Sequence, residues 1–76
     1  MAVLGMNLYV NKKKVLSTGL HSISLISGSL VVSDNGQTRA IIQIVPDGAS
    51  SQSKNMLWEY TELSLSDEIE FIEVNQ

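Results

Sequence analysis

Ser33-Asp34-Asn35-Gly36 stands between two runs of aliphatic and β-branched residues, Leu30 to Val32 and Ala40 to Val45. The Asn-Gly step supplies the positive φ that a tight hairpin turn demands, and the flanking Val and Ile favour pleated, half-buried strands. An antiparallel β framework follows from this segment alone.

The rest of the chain extends the same pattern. Asn7 to Val10 reads as a strand with Leu8 and Val10 on one face and Tyr9 on the other, and Asn11-Lys12-Lys13 turns it into Lys14-Val15-Leu16. After Ser17-Thr18-Gly19 an extended segment runs from Leu20 to Val32. Its apolar residues sit at odd positions early (Ile23, Leu25) and at even positions late (Ile26, Leu30, Val32), which predicts a bulge or bend at Gly28 where the inward face switches. Arg39 to Val45 carries Ile41-Ile42 and Ile44-Val45 in adjacent pairs, so it is expected as a central strand buried on both faces.

Pro46-Asp47-Gly48 ends that strand with turn chemistry, and Ala49 to Asn55 is a serine-rich polar stretch expected to be the most mobile loop. Met56 to Leu63 is ambiguous. Leu57, Tyr60 and Leu63 recur at helical spacing, whereas Trp58, Tyr60 and Thr61 favour a strand, the reading we adopt. Glu68-Ile69-Glu70-Phe71 alternates as a strand with Ile69 and Phe71 inward, and the parity shift to Ile72 and Val74 means that it bulges or buries both faces. Ser64 with Asp67 as a helix-capping pair is the weaker alternative there. The expected fold is all-β: one domain over residues 1–76, a small antiparallel β-sandwich or partly open barrel of about five or six strands.

Size limits how such a fold is stabilised. A chain of 76 residues buries only about 60% of the surface its unfolded form exposes, and the usual aids are disulfides, a structural metal or self-association. There is no Cys, and His21 is the single His, too few for a zinc site. With 43% hydrophobic and only 17% charged residues, part of the apolar surface is expected to face another subunit, which makes a homo-oligomer the expected assembly. A net charge of -3 argues against duplex nucleic acid as a partner, because phosphate backbones are bound by clustered Lys and Arg. Met1 to Met6 is too short for a signal-peptide apolar region and no stretch approaches a membrane span, so the expectation is a cytoplasmic chain with no membrane contact.

No residue pattern here specifies catalysis, and no cofactor is implied. His21 lies beside Ser22 and Ser24, but a nucleophilic site also needs an orienting third group and an oxyanion hole, so a satisfied or exposed strand histidine is the better reading. Six of the eight acidic residues fall in the last third, Glu59, Glu62, Asp67, Glu68, Glu70 and Glu73, and read as a solvated face rather than a calcium site. Lys12, Lys13 and Lys14 form a basic hairpin tip, suited to ion pairs with that acidic strand or to an anion contact.

Binding is expected along Pro46 to Tyr60, where a polar loop meets a strand bearing aromatics. The candidate residues are Lys54, Asn55, Trp58 and Tyr60, with Arg39 if the fold brings it near; Trp58 is either core or contact. In size, acidity and lack of catalytic residues the chain resembles the small inhibitors and accessory proteins encoded by phages and mobile elements, a likeness of composition carried by no specific motif. The expected function is a small non-enzymatic binding protein, an inhibitor or adaptor working through protein–protein contacts. The alternative is an oligomer that sequesters a small anionic ligand such as a nucleotide between subunits. The first expects an exposed apolar patch with a polar rim, the second convergent Lys and Arg beside an aromatic ring.

Overall fold

The computed structural model describes residues 3–48 and 55–75. Six strands follow in order: β1 (Val3–Val10), β2 (Lys13–Ser17), β3 (Ile23–Val32), β4 (Thr38–Pro46), β5 (Met56–Leu63) and β6 (Ile69–Asn75). They make two antiparallel three-stranded sheets, β2-β1-β6 and β3-β4-β5, packed as a small sandwich, and no helix occurs among the described residues. The ambiguous Met56 to Leu63 is a strand. Its helical spacing was incidental, because a register shift in β5 opposite Thr38 and Ala40 puts Tyr60 and Leu63 on one face.

Strand alternation builds the core. Met6, Leu8 and Val10 of β1 pack with Ala40 and Ile42 of β4, and Leu8, Ile42 and Ile44 are fully shielded from water. Burying each of those three is worth about 1.5–3 kcal/mol. Val15, Leu16, Ile26, Trp58, Tyr60, Leu63, Ile69 and Phe71 close around this centre, half-buried.

Three expectations about the strands need correction. β1 begins at Val3 rather than Asn7, since the C-terminal strand provides partners as far as Val3 opposite Asn75. β4 is central but has only one deeply buried face: Ile41, Gln43 and Val45 on the other are half-buried and Arg39 is exposed, because no third layer covers them. β3 bulges between Ile23 and Leu25, not at Gly28. Pairing with β4 runs unbroken from Leu25 to Val32, which places Leu25 on the outer face. Gly28 serves packing instead: a Cβ there would lie 2.5 Å from Phe71 Cδ1, so the missing side chain lets the ring of the opposite sheet rest on the β3 backbone.

Turn chemistry explains the β1–β2 and β3–β4 hairpins. In Ser33-Asp34-Asn35-Gly36 the Gly36 amide donates to the Ser33 carbonyl at 2.9 Å, the Ser33 amide donates to the Gln37 carbonyl at 2.8 Å, and the positive φ of +83° falls on Gly36. This is a type I turn closed by a left-handed glycine. The β1–β2 turn has positive φ at both Asn11 (52°) and Lys12 (66°), unusual for a pair without glycine. Asn11 is held there from outside the hairpin: its Nδ2 donates to Asp67 Oδ1 and its Oδ1 accepts from the Glu68 amide, both at 3.0 Å, while its own amide donates to the Glu68 carbonyl at 2.7 Å.

Ser64 and Asp67 are partners, but they close a turn into β6 rather than cap a helix. The Ser64 amide donates to Asp67 Oδ2 at 2.8 Å and the Asp67 amide donates to the Ser64 carbonyl at 3.1 Å. The Ser64 amide foremost, then the Asn11 side chain, hold the Asp67 carboxyl below its usual value. A depressed folded pKa favours the ionised native state, so this contribution is present above about pH 4 and disappears as pH falls through the folded pKa. The melting temperature of Asp67→Asn is therefore expected to lie below wild type at pH 7 and to converge on it in strong acid. A gap that does not vary with pH would contradict this.

Candidate functional site

The expected binding residues are distributed over two faces. Trp58 and Tyr60 lie opposite Ile42 and Ala40 on the inner face of the β3-β4-β5 sheet, half-buried and packed against the core. The indole ring meets His21, with centroids 5.7 Å apart and planes inclined at 55°. Asn55 precedes β5 and is exposed. Lys54, and with it Ala49 to Ser53 of the expected loop, lies outside the described residues. Arg39 projects from the outer face of β4, where its guanidinium is 3.7 Å from Glu59, both side chains nearly half exposed. The fold thus brings Trp58 together with Tyr60 and His21, and separates Arg39 from Trp58 by the thickness of the sheet.

His21 is occupied with local structure. Its ring Nε2 lies 2.7 Å from the Thr18 carbonyl and its backbone amide donates to the Leu4 carbonyl at 2.7 Å. The neighbouring hydroxyls also point elsewhere: Ser22 donates to Asp47 Oδ2 at 2.9 Å and Ser24 to the Val45 carbonyl at 3.0 Å. Strand order determines what the Lys12–Lys14 run meets. β1 lies between β2 and β6, so Lys14 and Glu70 flank Tyr9 from opposite sides. No group of three or more His, Cys, Asp or Glu able to hold a metal ion occurs among the described residues. Nor does any described helix have the length and apolarity to cross a membrane.

Two surface features were not anticipated. At the β3–β4 hairpin end, Ser33, Gln37, Thr38, Arg39 and Thr61 line an open cleft of about 370 Å³. On the outer face of the same sheet Leu25 stands opposite Val45, and Leu57 stands opposite Gln43, one step diagonally from Val45. These three make an apolar row crossing all three strands, with Leu25 61% and Leu57 55% exposed. Its borders are polar: Ser27, Gln43 and the Arg39–Glu59 pair. The signal in the sequence is that Leu25, Val45 and Leu57 each adjoin an inward residue, Ile26, Ile44 and Trp58. Strand registers are needed to see that the three outward neighbours converge. Compared with protein-family models, with characterised proteins and with solved structures, the chain matches none.

Proposed function

We propose that the protein is a non-enzymatic binding module, an inhibitor or adaptor that engages another protein through the outer face of the β3-β4-β5 sheet. The row Leu25–Val45–Leu57 carries this reading. Large aliphatic side chains held in water on a rigid sheet and bordered by polar groups have the anatomy of an interface centre. The competing reading, a sequestered anionic ligand, requires cationic groups beside an aromatic ring, and Arg39 is instead paired with Glu59 on the face opposite Trp58.

Leu57→Glu tests the proposal because Leu57 lies on the outer face, where a polar side chain costs the core nothing. The chain is used as bait in a native lysate, the captured protein is purified, and its affinity is measured for both versions. A loss of about tenfold or more, equivalent to about 1.4 kcal/mol, with an unchanged melting temperature is the expected result. A nucleotide panel giving calorimetric heat, with no protein whose binding depends on Leu57, would reverse the order of the two readings.

A further inference from the structure

Among the described residues four strand edges have no partner strand, β2 and β6 in one sheet and β3 and β5 in the other. An open edge presents unpaired backbone N–H and C=O groups, and natural proteins discourage pairing there with charges, proline or short strands. Three of the edges follow that rule: β2 carries Lys13 and Lys14, β5 carries Glu59 and Glu62, and β6 carries Glu70 and Glu73. Self-pairing of any of these about a two-fold axis draws like charges together. β3 differs. At ten residues it is the longest strand, and Ile23-Ser24-Leu25-Ile26-Ser27-Gly28-Ser29-Leu30-Val31-Val32 contains no charge and no proline.

The same strand is symmetric in its chemistry about Gly28. Reading outward in both directions gives Ser27 and Ser29, then Ile26 and Leu30, then Leu25 and Val31. We infer that the free edge of β3 pairs antiparallel with β3 of a second copy on a two-fold axis through Gly28, joining two three-stranded sheets into one of six strands. Ser27 then faces Ser29 of the second copy, Ile26 faces Leu30 and Leu25 faces Val31. Moving the axis to Ser27 or Ser29 leaves one aliphatic pair on each side of it, Ile23 with Val31 or Ile26 with Val32, and otherwise sets serine or glycine against aliphatic side chains, so the composition favours the axis through Gly28.

The faces agree with this register. Ile26 and Leu30 belong to the inner face and Leu25, Ser27, Ser29 and Val31 to the outer face, so every pair joins residues of one face. Leu30 is 48% exposed although it points to the core side. The second copy's Ile26 supplies the neighbour that it lacks within one chain. On the outer face Leu25 and Val31 meet across the axis, which extends each apolar row onto the second copy, with the serines of both copies between the two rows. The assembly therefore goes beyond the binding role proposed above and lengthens the surface that role uses, while standing on separate observations.

Light scattering coupled to size exclusion, on the full chain at tens of micromolar, is expected to give twice the 8.3 kDa chain mass. Ser27→Lys with Ser29→Lys gathers four cations around the axis on exposed positions, and the mass is expected to fall to that of one chain with a retained β-sheet circular dichroism spectrum. Register is read separately, since the chain has no native cysteine. Ser27→Cys mixed with Ser29→Cys and oxidised with copper phenanthroline is expected to cross-link unlike chains, whose Cβ atoms lie about 4.5–5.5 Å apart, well above like ones, which are offset by two residues. A monomeric wild type, a dimer indifferent to the two lysines, or cross-links as frequent between like as unlike variants would each overturn the inference. The cysteine experiment decides even if the lysine variant does not fold.

Discussion

Ile42→Ala is expected to remove about 3 kcal/mol or more of folding stability, over half of what a domain of this size has. Ile42 has no exposed surface, sits at the middle of the central strand between Gly28 of β3 and Trp58 of β5, and packs with Met6, Leu8, Val10 and Ala40. Two hydrogen-bonded sheets cannot close on the space left by three missing carbons, so the cavity adds to the lost transfer free energy. A single domain of this length has about 5 kcal/mol to lose. Its chain neighbour Ile41 is the control: it faces outward and is half-buried, and Ile41→Ala is expected to cost about 1 kcal/mol or less. Urea unfolding midpoints compare the two. Equal losses would mean that the assigned parity of β4 is wrong.

Trp58→Ala is expected to destabilise the protein by about 2–3 kcal/mol, less than a fully buried indole because one side of the ring remains open. The ring covers Ile42 from the edge strand β5 and is covered in turn by His21. Trp58→Phe should recover part of the loss, and His21→Ala should cost about 0.5–1 kcal/mol through the aromatic contact alone. Because Trp58 is the single tryptophan, its emission reports on its own environment and should shift to the red on unfolding. A wild-type melting temperature in Trp58→Ala would remove the ring from the core and make it a surface contact. The adjacent Leu57 is expected to behave in the opposite sense, sensitive in binding and silent in stability.

The all-β class, the approximate number of strands and the position of the Ser33–Gly36 turn were legible in the chain because they depend on local physics. Residue period, β-branching and the freedom of Gly36 to take positive φ are properties of neighbours in sequence. Parity within a strand was legible where alternation was clean, as for Leu8 and Val10 or for Ile69 and Phe71. It was not legible where apolar residues adjoin: Leu25-Ile26, Ile41-Ile42, Ile44-Val45 and Leu57-Trp58 each present two candidates for one inward position. The register with the neighbouring strand and the presence of only two layers decided among them, placing Ile26, Ile42, Ile44 and Trp58 on the inner face and the others on the outer face.

Gly28 shows the same division. The switch of apolar parity around it suggested a bend, but the residue that accounts for it is Phe71, forty-three positions later, whose approach no local pattern encodes. The separation of Arg39 from Trp58 likewise arises from their standing on opposite faces of a sheet, a relation created by pairing β4 with β5. The sequence by itself determined which segments extend and where they turn, since those preferences act over a few residues. Tertiary structure alone decided which side chains share a face, which edges stay open and which apolar groups remain for a partner, because each depends on long-range strand pairing between residues whose sequence separation carries no local signal.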